Sequence, residues 1–68
     1  MKKMVKVIEV IATSEKGFTE ATQVAVEKAS ETVKNIKSVY IKEMNANVEN
    51  NKIISYAVNV KISFEIDG

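Results

Sequence analysis

At 68 residues the chain has room for one small core and none for a second, so a single domain over 1–68 is expected and a multidomain protein is excluded. Hydrophobic residues at 46% beside 28% charged residues rule out the low-hydrophobicity, high-charge profile of disorder. Ten Lys/Arg against nine Asp/Glu leave a net charge of +1, too little to draw the chain to nucleic acid or to an anionic membrane, and neither is expected as a partner.

Cysteine and histidine are both absent. That removes a disulfide framework, thiolate and imidazole metal sites, and Ser-His or Cys-His nucleophile pairs, so an enzyme is not expected. Zero cysteines fit a reducing cytoplasm. The start Met1-Lys2-Lys3 has the charge of a signal-peptide n-region, but Lys6 and Glu9 interrupt the apolar stretch that would follow, and no run approaches the roughly 20 apolar residues of a membrane span. A cytoplasmic protein is expected.

Met4 to Ile11 is apolar on both parities, which predicts a strand central in a sheet. Thr13 to Gly17 reads as a polar loop, with Thr13 and Ser14 supplying loop or capping hydroxyls. From Phe18 to about Lys34 the period becomes helical, with Phe18, Ala21, Thr22, Ala25, Ala29 and Val33 on one stripe. Ile36 to Val48 carries β-branched and aromatic residues in weaker alternation and predicts a second strand. Asn45 to Asn51 reads as a strand end and a turn, because Asn tolerates left-handed backbone angles. The last strand is the clearest: Ile54, Tyr56, Val58, Val60, Ile62, Phe64 and Ile66 alternate with polar or small residues, so the even positions face a core.

The predicted class is α+β, a β-α-β-β chain whose three-stranded antiparallel sheet wraps around one helix, with the last two strands in a hairpin. A last strand of about 14 residues spans about 45 Å, whereas a helix of about 17 residues spans about 25 Å. One helix cannot cover such a sheet, and long strand edges need protection, so the chain is expected to complete its core by homo-oligomerisation.

No side-chain constellation names a reaction. The carboxylates Glu9, Glu43, Glu65 and Asp67 are candidates for acid-base work or for a hard cation, but pairing with Lys6, Lys42 and Lys61 is the simpler expectation. Gly17 before a helix invites a phosphate site, yet lacks a Gly-rich loop and a Lys-Ser/Thr signature.

Thr13-Ser14-Glu15-Lys16-Gly17-Phe18 after an apolar strand, an Ala-rich helix, Val33-Lys34-Asn35-Ile36, Tyr56 and the ending Phe64-Glu65-Ile66-Asp67-Gly68 together resemble the dodecins. The resemblance runs from about Lys3 to Gly68 and implies a hollow dodecamer that stores small ligands, commonly flavins bound in pairs. In flavin-binding members it places a ring-stacking Trp where this chain has Ser38, a Gln on the ring's polar edge where it has Ala57, an acidic residue at Glu43, and a backbone contact at Lys37. Losing a stacked ring and a hydrogen bond weakens binding by roughly ten- to a thousand-fold. A second, Trp-lacking branch is calcium-binding, and Ser38 is closer to it. The ligand-binding candidates are therefore Lys37, Ser38, Glu43 and Ala57, with no metal ligands assigned. A weakened flavin and calcium stand open as cofactors; Tyr40 replaces the missing Trp if the strand register differs by two.

Overall fold

The computed structural model describes residues 3–67. Met1, Lys2 and Gly68, with the side chains of Lys3 and Asp67, lie outside the described residues, and with them the Asp67 carboxylate weighed above. The elements run β1 (Lys3–Ser14), α1 (Phe18–Ala29), β2 (Ile36–Glu49) and β3 (Lys52–Asp67). The β-α-β-β order and the antiparallel sheet are as expected, and β2 and β3 form the expected hairpin. Its turn is tighter than Asn45–Asn51 suggested. Only Asn50 and Asn51 lie between the paired residues Glu49 and Lys52, with φ of 53° and 65°. Positive φ at both central residues is the type I′ geometry that matches strand twist, and Asn adopts it at low cost. Asn45 and Asn47 stay in β2, opposite Ala57 and Ser55.

The strand order is β1-β3-β2, so β3 is central and β1, expected in the middle, is an edge. Both-face apolarity in β1 has another cause. Ile8, Val10 and Ala12 pack toward the helix, while Val5, Val7 and Ile11 stand exposed on the opposite face, Ile11 at 72%. A strand apolar on both faces needs two covers, and a single chain supplies one.

The core lies where α1 crosses the sheet. Ala21, Ala25 and Ala29 leave no bulk along the inner face of the helix, so it settles directly onto Val58, Val60 and Ile62, flanked by Phe64. Phe18 adds an edge-to-face contact with Tyr56, ring centroids 5.0 Å apart. The helix ends at Ala29, well short of Lys34. Beyond it the Ser30 hydroxyl donates to the Glu27 carbonyl (2.7 Å), the Thr32 hydroxyl donates to the Ala29 carbonyl, and the Thr32 amide closes an i→i+3 bond onto the same oxygen. Hydroxyls that take carbonyls in this way compete with the next helical turn. Val33 still packs on the core, from the turn. At the other end, Gly17 is the N-cap and no side chain caps the helix. Ser14 instead accepts from the Lys16 amide, and Thr13 and Ser14 belong to β1 rather than to a loop.

The shortened helix sharpens the mismatch in lengths. Twelve helical residues span about 18 Å, against about 53 Å for the 16 residues of β3. Ile54, predicted for the core face, is 47% exposed. It is the extra residue at the register shift between Asn47/Ser55 and Val48/Ile53 and lies far from the helix. The chain measures 55 × 19 × 13 Å, with a radius of gyration of 14.1 Å, where a compact chain of this length has about 11 Å. Its accessible surface is 5218 Å², against about 4300 Å² for a compact monomer of this mass.

Candidate functional site

Three of the four sequence candidates share the face of the sheet turned away from the helix, and two β-bulges put them there. Ile36 lies opposite Phe64 on the helix side, but Ser38 lies opposite Ser63, so Lys37 is the extra residue of the first register shift. Likewise Ile41 lies opposite Val60 and Glu43 opposite Asn59, with Lys42 extra. Each bulge steps the side-chain alternation by one. Ser38, Tyr40, Glu43 and Asn45 all end on the open face, while Ile36, Val39, Ile41, Met44 and Ala46 end on the helix face. The signal is visible in the sequence as apolar spacings of three at Ile36–Val39 and Ile41–Met44, which strict alternation does not give. Asn35 enters this stretch with φ of 62°, and its carbonyl accepts from the Glu65 amide at 3.1 Å, which pins the start of β2.

Both bulge residues are lysines and both reach a carboxylate. Lys37 Nζ lies 3.5 Å from Glu65, and Lys42 Nζ lies 3.5 Å from Glu9. The expected pairing of the strand carboxylates with lysines is thus seen for Glu9 with Lys42, while Glu65 takes Lys37. A hydrogen bond from Asn59, then the Lys42 ammonium, hold the Glu9 carboxyl below the usual carboxylate range. A carboxylate depressed in the fold contributes stability that is complete above its unfolded value and is lost as pH falls through the folded one. Urea midpoints should therefore fall on acidification below about pH 4, and Glu9→Gln should flatten that acid limb. An unchanged acid limb in Glu9→Gln would assign the loss to other carboxylates. Asn59 keeps one buried polar atom, Oδ1, without a partner.

The Ser38 hydroxyl forms a 2.5 Å hydrogen bond with that of Ser63. Ala57 is half-buried between Thr13 and Asn45 and has no polar side-chain atom to offer. The four candidates do not converge in one chain. Ser38 sits opposite Ser63, and Ala57 lies six residues along β3, about 20 Å away at about 3.3 Å per residue. Lys37, Ser38 and Glu65 gather at one end; Glu43 and Ala57 lie diagonally across the β2–β3 pair at the other.

A separate open cavity of about 370 Å³ lies against α1, lined by Ser14, Glu15, Lys16, Glu20, Gln23, Val24 and Glu27, and holds none of the sequence candidates. Among the described residues no three His, Cys, Asp or Glu side chains come together as a metal site. Where the resemblance places a stacking ring this chain has the Ser38 hydroxyl, and where it places an amide it has the Ala57 methyl. Among the described residues no helix is long and apolar enough to cross a membrane.

The family model for dodecin matches residues 4–67. The chain belongs to the dodecin family. Among solved structures it is similar to an arginine-to-alanine mutant of the Thermus thermophilus dodecin, with 25% identity, a TM-score of 0.91, and 98% of this chain and all of that one covered. The dodecin from Streptomyces davaonensis shares the fold at a TM-score of 0.92 and 22% identity, with both chains covered completely. A calcium-chelating immunodominant antigen of Mycobacterium tuberculosis, a calcium dodecin with a novel calcium-binding site, is 28% identical at a TM-score of 0.80, covering 94% of this chain and 91% of that one. Among curated protein sequences nothing matches it. Dodecins are small-ligand-binding proteins, and that coarse function comes with membership.

Proposed function

We propose that this dodecin is a non-enzymatic, cytoplasmic storage protein, a single domain whose copies assemble into a hollow dodecamer that sequesters a small ligand, with the flavin pocket of the family weakened. The observation that carries the weakening is the Ser38–Ser63 hydroxyl pair where a stacking ring is expected, together with the apolar Ala57. Assembly is supported by the excess surface and by the exposed apolar residues on both faces of β1 and along Val39, Ile41 and Met44, which α1 leaves exposed. A ligand that meets both Ser38 and Ala57 bridges two copies, because one chain holds them about 20 Å apart.

Native mass spectrometry should give a dodecamer, and the untreated purified protein should be colourless in the visible range. A folded monomer at micromolar concentration defeats the assembly; a yellow protein with bound flavin defeats the weakened pocket and installs the flavin-storage reading in its place.

Calcium is the second reading, favoured by the likeness to the calcium dodecin and by Glu43, an exposed carboxylate that closes no ion pair among the described residues. Millimolar calcium should then raise the melting temperature by mass action on the native state, and Glu43→Gln should abolish the rise. An unshifted melting curve removes calcium.

A further inference from the structure

The side of α1 turned away from the sheet forms one wall of the open cavity of about 370 Å³, a size within the usual range of about 300–1,000 Å³ for small-ligand pockets. Glu20, Gln23, Val24 and Glu27 fall at helical spacings of three and four and make a single stripe, nearly opposite the buried row Ala21, Ala25 and Ala29. The facing wall is the end of β1 and the loop after it, where the Ser14 hydroxyl accepts from the Lys16 amide at 3.0 Å and holds the turn.

The charges of this cavity are unbalanced. Glu15, Glu20 and Glu27 meet one ammonium, Lys16, and none of the three closes an ion pair among the described residues. The whole chain carries +1, so the negative patch is local. Gly17 shows that it is also built. Its φ of 165° is extended backbone that any residue adopts, yet a Cβ at this position would lie 2.6 Å from Glu20 Oε1. The glycine leaves room for a carboxylate folded back over the loop, and the chain does not use that carboxylate to cap its own helix.

Among the described residues no three carboxylates converge on a point as a metal site; those of the cavity are spread along it. Glu20 and Glu27 stand two turns apart, about 10 Å along the helix axis. Val24, 38% exposed, lies between them, and the Gln23 amide donates to Glu27 at 3.4 Å, which orients that end. Two anionic ends with an apolar middle match a linear cation that carries ammonium groups at its ends and methylene groups between them. Each ammonium donates to a carboxylate while the stem lies over Val24.

We propose that this cavity binds linear aliphatic polyamines, with Glu20 and Glu15 holding one end, Glu27 the other, and Val24 the methylene chain. The site is separate from the open face of the sheet and does not depend on which ligand the assembly stores.

The test is calorimetric titration of the assembled protein with spermidine at low ionic strength, with native mass recorded for each variant. The parent should bind saturably in the submillimolar range and more weakly as salt rises, because exposed charges are screened. Glu20→Gln combined with Glu27→Gln should weaken binding by roughly three- to thirty-fold, the loss of two charge pairs. Glu31→Gln, which removes a carboxylate just beyond the helix and outside the cavity, should stay within about two-fold. A parent that shows no saturable binding at millimolar spermidine overturns the site, as does parental affinity in the double variant. Equal losses in Glu31→Gln and the double variant overturn it in favour of diffuse surface charge, and displacement of spermidine by an equal concentration of magnesium overturns it in favour of a point ion. If the double variant does not assemble, the two single substitutions take its place, and parental affinity in both overturns the site.

Discussion

Phe64→Ala should cost about 3–5 kcal/mol, the usual loss for truncating a buried Phe, whereas Ser63→Ala next to it should cost about 1 kcal/mol, one exposed hydroxyl bond. The contrast follows from the pleat. Phe64 faces the helix side, between Lys6 of β1 and Ile36 of β2, and is buried. Ser63 faces the open side and meets Ser38. A chain of this size has about 3–10 kcal/mol of total stability, so the loss at Phe64 is enough to unfold an isolated subunit, and any residual fold depends on what neighbouring copies return. Urea unfolding at several protein concentrations separates the two contributions. Equal costs for the two substitutions would mean that the even positions of β3 do not form the buried face.

The fold was legible where a strand meets one cover. From Val58 to Phe64 the alternation of β3 coincides with the buried row, because α1 lies over that segment and nothing lies over the other face. Where a segment is covered by something outside the chain, the same rules mislead. β1 is apolar on both faces and reads as a central strand, yet it is an edge; its second apolar face, with Val5, Val7 and Ile11, is exposed in the single chain, and sequence patterning alone does not say whether an apolar face has a cover within the chain. Ile54 is the same case at the hairpin tip. The helix stops five residues short of Lys34 although Val33 keeps the helical spacing to the core, because the Ser30 hydroxyl takes the Glu27 carbonyl and the Glu31 amide turns to Lys28 instead.

The candidate site was legible as a set of residues and not as a place. Ser38, Glu43 and Ala57 do share a face, but only because bulges at Lys37 and Lys42 rephase β2. These bulges also account for the weak alternation between Ile36 and Val48. Bulges and lysines along β2 interrupt an edge that would otherwise template pairing with another chain, so the same residues that aim the open face also blunt that edge. The separation of Ser38 from Ala57 is a property of register, and no residue type announces it.

The double change Ser38→Trp with Ala57→Gln should bind flavin more tightly than the parent by roughly ten- to a thousand-fold, from a stacked ring at about 1–3 kcal/mol and a hydrogen bond at about 0.5–1.5 kcal/mol. Both positions lie on the open face, away from Val58, Val60 and Ile62, so the core is untouched. Ser38→Trp breaks the bond to Ser63, but that hydroxyl is exposed enough to turn to water, and Trp is favoured in strands. Since one chain keeps the two positions about 20 Å apart, the new Trp and Gln can act together only across a subunit boundary. Each single substitution should therefore recover part of the affinity, and the double variant should bind only while assembled, losing flavin at the dilution where native mass shows dissociation. Adding Tyr40→Leu to the double variant then separates two geometries. Undiminished binding puts the ring on the new Trp, whereas a ten-fold loss puts it on Tyr40 even when Trp is offered. A double variant that assembles and binds no flavin would show that these two positions do not border the same ligand, and the pocket at Ser38 and Ala57 would have to be given up.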